Sequence, residues 1–284
     1  MLMNRDPAAG QGGPQLTALE LPDPVGEAHR VVARHNPLVL QREDQVEIFA
    51  GLELLPQAAT LDNFAALFDT YNFGPFLTNS VVVVAFSVAL SLLLGTPAAY
   101  ALTKLPSESW LQRQALIVVL LVRMLPTILL VIPFYIVLAD TGLLNTRLGL
   151  IVLYTGLNTG FVIWLMQSFL AEIPREIEEA TLVDGDSRLT ALRRIVLPLA
   201  APGLAATAIF SVVNIYNDFL IALTMTSTPD AQTVTVGVST LIGKIQIQWG
   251  PMAAAGVVGA LPIIIFALLV QRHFVRGLTL GAVK

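Results

Sequence analysis

Residues 176–188, EIEEATLVDGDSR, gather Glu176, Glu178, Glu179, Asp184 and Asp186 between two long apolar runs. Two carboxylates can act as general acid and base only when both reach one reacting group, and adjacent residues such as Glu178 and Glu179 diverge by about 100° on a helix. Metal chemistry has no better support: His29, His35 and His273 show no ligand spacing. The chain has no cysteine, which removes disulfides, thiolate metal sites and cysteine nucleophiles. GVSTLIGKI, from Gly237, approaches a phosphate-binding loop, but it has one residue too many between its glycines and Ile245 where Ser or Thr would hold magnesium. The sequence therefore predicts a protein that is not an enzyme, with no metal site and no cofactor of its own.

The elements that position these carboxylates belong to a membrane protein. Hydrophobic residues make up 55% of the 284 and charged residues only 13%, the mean hydropathy is +0.73, and several apolar runs are long enough to cross a bilayer. A net charge of −4, with basic residues spread along membrane edges, gives no footprint for nucleic acid. The expected fold is all-α and polytopic, with five clear spans near 78–104, 114–138, 148–170, 202–223 and 252–270. Gly95 and Pro97 interrupt the first of these. Residues 1–60 read as a polar, flexible N-terminal segment without a signal peptide, and 61–284 as the transmembrane domain.

Lys and Arg set the orientation. Lys104, Arg113, Arg175, Arg188, Arg193, Arg194, Arg272, Arg276 and Lys284 fall in one set of loops, against Arg147 and Lys244 in the other. The loop 171–201 and the C-terminus are therefore expected in the cytoplasm. An odd number of spans then places residues 1–60 outside, unless a further spanning element precedes them.

Within the loop 171–201, Pro174 suits a first helical turn, and the glutamates after it face the positive end of the helix they start. Gly185 suits a left-handed cap, Asp186 or Ser187 can begin a second short helix, and Pro198 is expected to stop it before the next span. Ile177, Ala180, Thr181 and Asp184 recur at helical spacing and form a small-residue surface. Such a surface fits a cleft of another protein, and equally suits an amphipathic loop resting on lipid headgroups.

Polar residues inside the spans are the other candidates. Asn158 and Thr159 lie in the third span and Asn214, Tyr216, Asn217 and Asp218 in the fourth, suited to lining a pathway or to hydrogen bonding between helices. Asp218 also suits the outer interface, Arg123 a structural partnership, and Trp249 an interfacial anchor. An ion- or proton-coupled secondary transporter is the alternative reading, although intramembrane carboxylates are too few for a proton relay and no internal repeat stands out.

Glu179-Ala180-Thr181, then Gly185, then Ile195-Val196-Leu197-Pro198 resembles the EAA loop, E-A-A-x3-G-x9-I-x-L-P, of the permease subunits of binding-protein-dependent ABC importers. Thr181 replaces the second alanine. TLDNFAALF, FLTNS, NIYNDFLIALTMT and QRHFVRGLTLGAVK are similar to segments of the carbohydrate-type subfamily, in particular the maltose-type second permease. The resemblance implies a multi-pass protein of the prokaryotic inner membrane, with six spans where five are counted. It implies that Glu178, Glu179, Ala180, Thr181, Asp184, Gly185, Ile195, Leu197 and Pro198 couple the spans to a cytoplasmic ATPase dimer, which binds ATP and magnesium. It further implies a second permease subunit, an extracytoplasmic solute-binding protein and a sugar or related polyol as substrate.

Overall fold

A chain in hydrocarbon has no water to hydrogen-bond its backbone, so each spanning segment must satisfy its own N–H and C=O groups as a helix. The computed structural model describes residues 61–104, 110–183, 185–242 and 249–281, with side chains described except at 111–113, 123 and 271–281. The expectations for residues 1–60, for Asp184 and for the Arg123 side chain therefore lie outside the described residues. In chain order the helices are α1 (Asp62–Asp69), α2 (Gly74–Lys104), α3 (Trp110–Met124), α4 (Thr127–Asp140), α5 (Arg147–Ala171), α6 (Arg175–Val183) and α7 (Arg188–Ala191). A π-turn over Leu192–Val196 leads into α8 (Leu197–Leu199), followed by α9 (Ala201–Tyr216), α10 (Leu220–Met225), α11 (Val234–Thr240) and α12 (Trp249–Gly281).

Among the described residues, α2, α5 and α12 are each long and apolar enough to cross a membrane, and the number rises to 5 if each of two bent helix pairs is one span. Gly95 and Pro97 do not interrupt the first span, because α2 runs through both. The second span, expected as one helix over 114–138, is α3 and α4 joined at an angle. Pro126 holds an extended backbone there, φ −57° and ψ 127°, since a proline disfavours helix at the residue before it and offers no N–H to continue one.

The fourth span also differs from expectation. It does not run over 202–223: α9 ends at Tyr216, and α10 starts only at Leu220. Polar side chains close the gap. Asn217 Nδ2 donates to the Val213 carbonyl at 2.9 Å, which also accepts the Asn217 N–H, and Asp218 Oδ1 accepts the Ile221 N–H at 3.0 Å, a donor of the kind that a helix start leaves unpaired. Pro198 does not stop the helix before it either. It lies inside a helical stretch that runs unbroken from Arg188 through the π-turn to Leu199, and the 76° bend comes at Ala200, between α8 and α9.

Two spans far apart in the chain form the main seam. α2 and α5 run in the same direction, as successive contacts show: Ser87 with the Ile151 carbonyl, Ser91 with Asn158 and Gly95 with Val162. At the last of these a Cβ on Gly95 would lie 2.7 Å from Val162 Cγ1, so the helices approach as closely as they do only because the side chain is absent. α9 returns alongside α5 with Thr207 Oγ1 at 3.4 Å from Met166 Sδ, and meets α12 through the Tyr216 hydroxyl, which donates to the Gly259 carbonyl at 2.6 Å. Ile128, Leu129, Ile132 and Ile136 on α4 point outward and are exposed, a face at home in lipid.

One end of the bundle is tied by side chains to the connection between α10 and α11. Asn145, at φ +58°, accepts the backbone N–H groups of Ser227 and Thr228 on Oδ1. Asn79 Nδ2 donates to the carbonyls of Pro229 and Gln232, both at 2.8 Å. Arg147 is at this end, donating to the Asp230 carbonyl, whereas Lys104 lies at the other with α6 and α7. That separation agrees with the charge asymmetry read from the loops.

Gly95→Ala is expected to force α2 and α5 apart and lower stability by about 1–3 kcal/mol, whereas Gly156→Ala, with nothing within 4 Å of the added carbon, leaves it unchanged. Thermal unfolding of the purified variants checks this; equal midpoints would show that the seam tolerates the methyl group.

Candidate functional site

Gly185 adopts φ +90°, the left-handed conformation expected of it and disfavoured for residues with a Cβ. Asp186 N–H bonds back to the Thr181 carbonyl at 3.1 Å and Gly185 N–H to Leu182, closing α6 in the manner of a glycine C-cap. Ser187 then opens α7, its Oγ accepting the Thr190 N–H. α6, the glycine turn and α7 thus form a hairpin of short helices beneath the spans.

The exposed face of α6 is rotated from the expected one. Glu176, Ile177, Glu179, Ala180 and Val183 face outward, with Val183 86% exposed. Thr181 is half-buried and turns its hydroxyl onto the Glu178 carbonyl. Glu178 points inward, only 6% exposed, and accepts a hydrogen bond from the Tyr100 hydroxyl of α2. Lys104, also on α2, donates to the Ile173 carbonyl in the connection between α5 and α6. Beyond the turn, Leu192 and Val196 are buried in the same apolar cluster as Tyr100, Val162, Met166 and Leu170. Ile195 and Leu197 are half-buried, and Pro198 is exposed.

Higher in the bundle, a cavity of about 340 Å³ opens between α3, α4, α5, α9 and α10, a volume within the range of small-molecule sites, about 300–1,000 Å³. Asn158, Asn214 and Asp218 line it, with Tyr154 added by the structure, and Val118, Val119 and Val122 supply an apolar wall. Asp218 Oδ1 accepts the Tyr154 hydroxyl at 2.9 Å, and Asn158 Nδ2 donates to Ser91 at 2.7 Å. The cavity therefore offers amides, a carboxylate and a phenol beside aliphatic carbon. Tyr216 and Asn217 lie apart from it: Tyr216 is buried against α12, and Asn217 is exposed at the end of α9.

Residues 91–280 match the family described as binding-protein-dependent transport system inner membrane component. This chain is a member of that family. It is 36% identical over 231 residues to the sulfoquinovosyl glycerol transport system permease protein SmoH of Agrobacterium fabrum, spanning 81% of this chain and 80% of the relative. It is likewise 36% identical over 234 residues to the trehalose transport system permease protein SugB of Mycobacterium tuberculosis, spanning 82% and 85%. Among solved structures, a bacterial ABC transporter involved in the import of the acidic polysaccharide alginate superposes with a TM-score of 0.67 at 20% identity, over 87% of this chain and 98% of that one. At that identity the likeness speaks to fold alone.

The permease is thus a multi-pass inner-membrane protein, and its α6–α7 hairpin carries the family's EAA loop. Tyr100, Lys104 and Tyr154 were missed by sequence reasoning. Tyr154 had a signal, since it stands four residues before Asn158 on α5 and shares its face. Tyr100 and Lys104 had none, because their partners lie 78 and 69 residues away.

Gly185→Val is expected to abolish transport while the permease remains in the membrane. Nothing lies within 4 Å of the position, so the penalty is conformational, about 1–3 kcal/mol. Gly185→Asn, which tolerates positive φ better, should retain part of the activity. Uptake measured against membrane abundance decides, and normal uptake by the valine variant would remove the turn from the coupling apparatus.

Proposed function

We propose that this permease forms one half of the translocation pathway of an ATP-driven importer for a sugar or related polyol. In this reading a second permease subunit supplies the other half, an ATPase dimer binds at the cytoplasmic face, and an extracytoplasmic binding protein delivers the substrate. The observation that carries it is the α6–α7 hairpin. A short helix with an exposed face of Glu176, Glu179, Ala180 and Val183 stands clear of the spans, and its other face is packed onto them. Such a helix suits docking in a groove of a cytoplasmic protein.

The chain itself hydrolyses nothing in this reading, and ATP and magnesium belong to the partner. Gly237 supports that assignment, since it lies within α11 and packs on the Phe76 ring, whereas a phosphate loop needs its first glycine free in a turn. The sugar assignment rests on the relatives, named for glycoside transport, and on the cavity's amides and phenol. Asn158, Asn214 and Asp218, with Tyr154, are the groups proposed to meet substrate hydroxyls. The family match gives no support to an ion- or proton-coupled carrier.

In a reconstituted complex, ATP hydrolysis should rise when binding protein loaded with a glycoside is added, and labelled glycoside should enter vesicles. Asn214→Leu should cut uptake by about tenfold, the scale of one lost hydrogen bond to substrate, with hydrolysis in the absence of substrate unchanged. Stimulation by an amino-acid-loaded binding protein and by no glycoside would overturn the sugar assignment.

A further inference from the structure

The ATPase-facing hairpin is joined to the spans in sequence only through the connections at 172–174 and at Ala200, and both are places where the helix direction changes. A push on α6 carried by those connections alone would be absorbed as bending. The structure provides a second route. Glu178 belongs to the helix that carries the EAA motif, yet it is 6% exposed while its neighbours Ile177 and Glu179 are open. A carboxylate is buried at a cost unless a donor meets it, and the Tyr100 hydroxyl, on a residue itself 5% exposed, does so from α2. One turn further along α2, Lys104, 6% exposed, donates to the Ile173 carbonyl just ahead of Pro174.

We infer that Tyr100 and Lys104 are positioning residues for ATPase coupling: they bolt α6 to the cytoplasmic end of α2, so that movement of the hairpin carries α2 and α5 together as one body. Three features converge on this role. The bond from Tyr100 reaches Glu178 where both residues are buried, so water does not compete for it. The Tyr100 ring lies in the apolar cluster that holds Leu192 and Val196, so both arms of the hairpin grip the same surface. α2 is in turn locked to α5 at Gly95 and Asn158, which passes the displacement along the seam toward the cavity. The inference rests on the proposed function, because it needs an ATPase to push.

The test uses the assembled complex and two readouts: substrate molecules imported per ATP hydrolysed, and hydrogen exchange of the α6 amides. Tyr100→Phe and Glu178→Leu should each lower the import ratio about fivefold, the size of one such bond, and accelerate α6 exchange. Lys104→Met should act in the same direction. The double variant Tyr100→Phe/Glu178→Leu should be no worse than the poorer single one, since both remove one interaction. Glu178→Gln, whose amide oxygen still accepts the tyrosine proton, should restore most of the ratio and the slow exchange. An unchanged ratio and unchanged exchange in Tyr100→Phe would overturn the inference, as would losses that multiply in the double variant. A wild-type complex without ATP-driven import would instead overturn the proposed function, and the exchange rates would still decide whether Tyr100 and Glu178 hold α6 in place.

Discussion

Close approach of α2 to α5 is the constraint on which the remaining structure depends. Two apolar helices in lipid gain little by hiding from their surroundings, so their association relies on contact and on the few polar bonds between them. Gly95 allows the contact, and Asn158 with Ser91 supplies the bond. With that seam in place, one end of the pair is a floor onto which the α6–α7 hairpin packs. The opposite end anchors the α10–α11 connection through Asn79 and Asn145, and another face of α5 forms a wall of the cavity. Helices that are distant in the chain thus set the distance between the α6–α7 hairpin and the cavity.

Hydropathy made α2, α5 and α12 legible because each is a long apolar run whose flanks change character abruptly. The glycine turn was legible for a different reason. Gly185 stands between a strong helix former and a serine suited to capping, and the backbone obeys both signals. The break at Pro126 was not legible, since apolar residues run on both sides of it, and that at 217–219 was masked because Asn217 and Asp218 suit pathway lining as well as a helix end. Proline alone does not mark a break either, as Pro97, Pro133 and Pro262 all lie inside helices. Which prolines bend a membrane helix depends on neighbours able to satisfy the freed carbonyl, and those neighbours come from elsewhere in the chain.

Polar residues within the apolar stretches divide into two kinds once placed. Asn145 and Asn217 serve the backbone where helices end, whereas Asn158 and Asn214 face the cavity. Asp218 does both, recapturing the start of α10 with the same oxygen that accepts the Tyr154 hydroxyl. The sequence shows the cost of such groups in a bilayer but not which benefit offsets it. Glu178 poses the same question outside the spans, because its place near a positive helix end gave no hint of burial and a tyrosine on α2 meets it there.

The π-turn at Leu192–Val196 has a bearing on how this region can vary. A π-turn holds one residue more than an α-helical turn, so it is geometrically a single-residue insertion lodged in the rod between the hairpin and the fourth span. Deleting one residue from it would restore an α-helical turn and leave the helix on either side in register, because the wider turn absorbs its extra residue locally, whereas an insertion into ideal helix rotates the flanks by about 100°. Between Gly185 and the bend at Ala200, loss of one residue is therefore accommodated within Leu192–Val196, whereas the same loss from α7 or α8 would turn the hairpin about the helix axis. Chain length can thus change at the wide turn without re-aiming the hairpin.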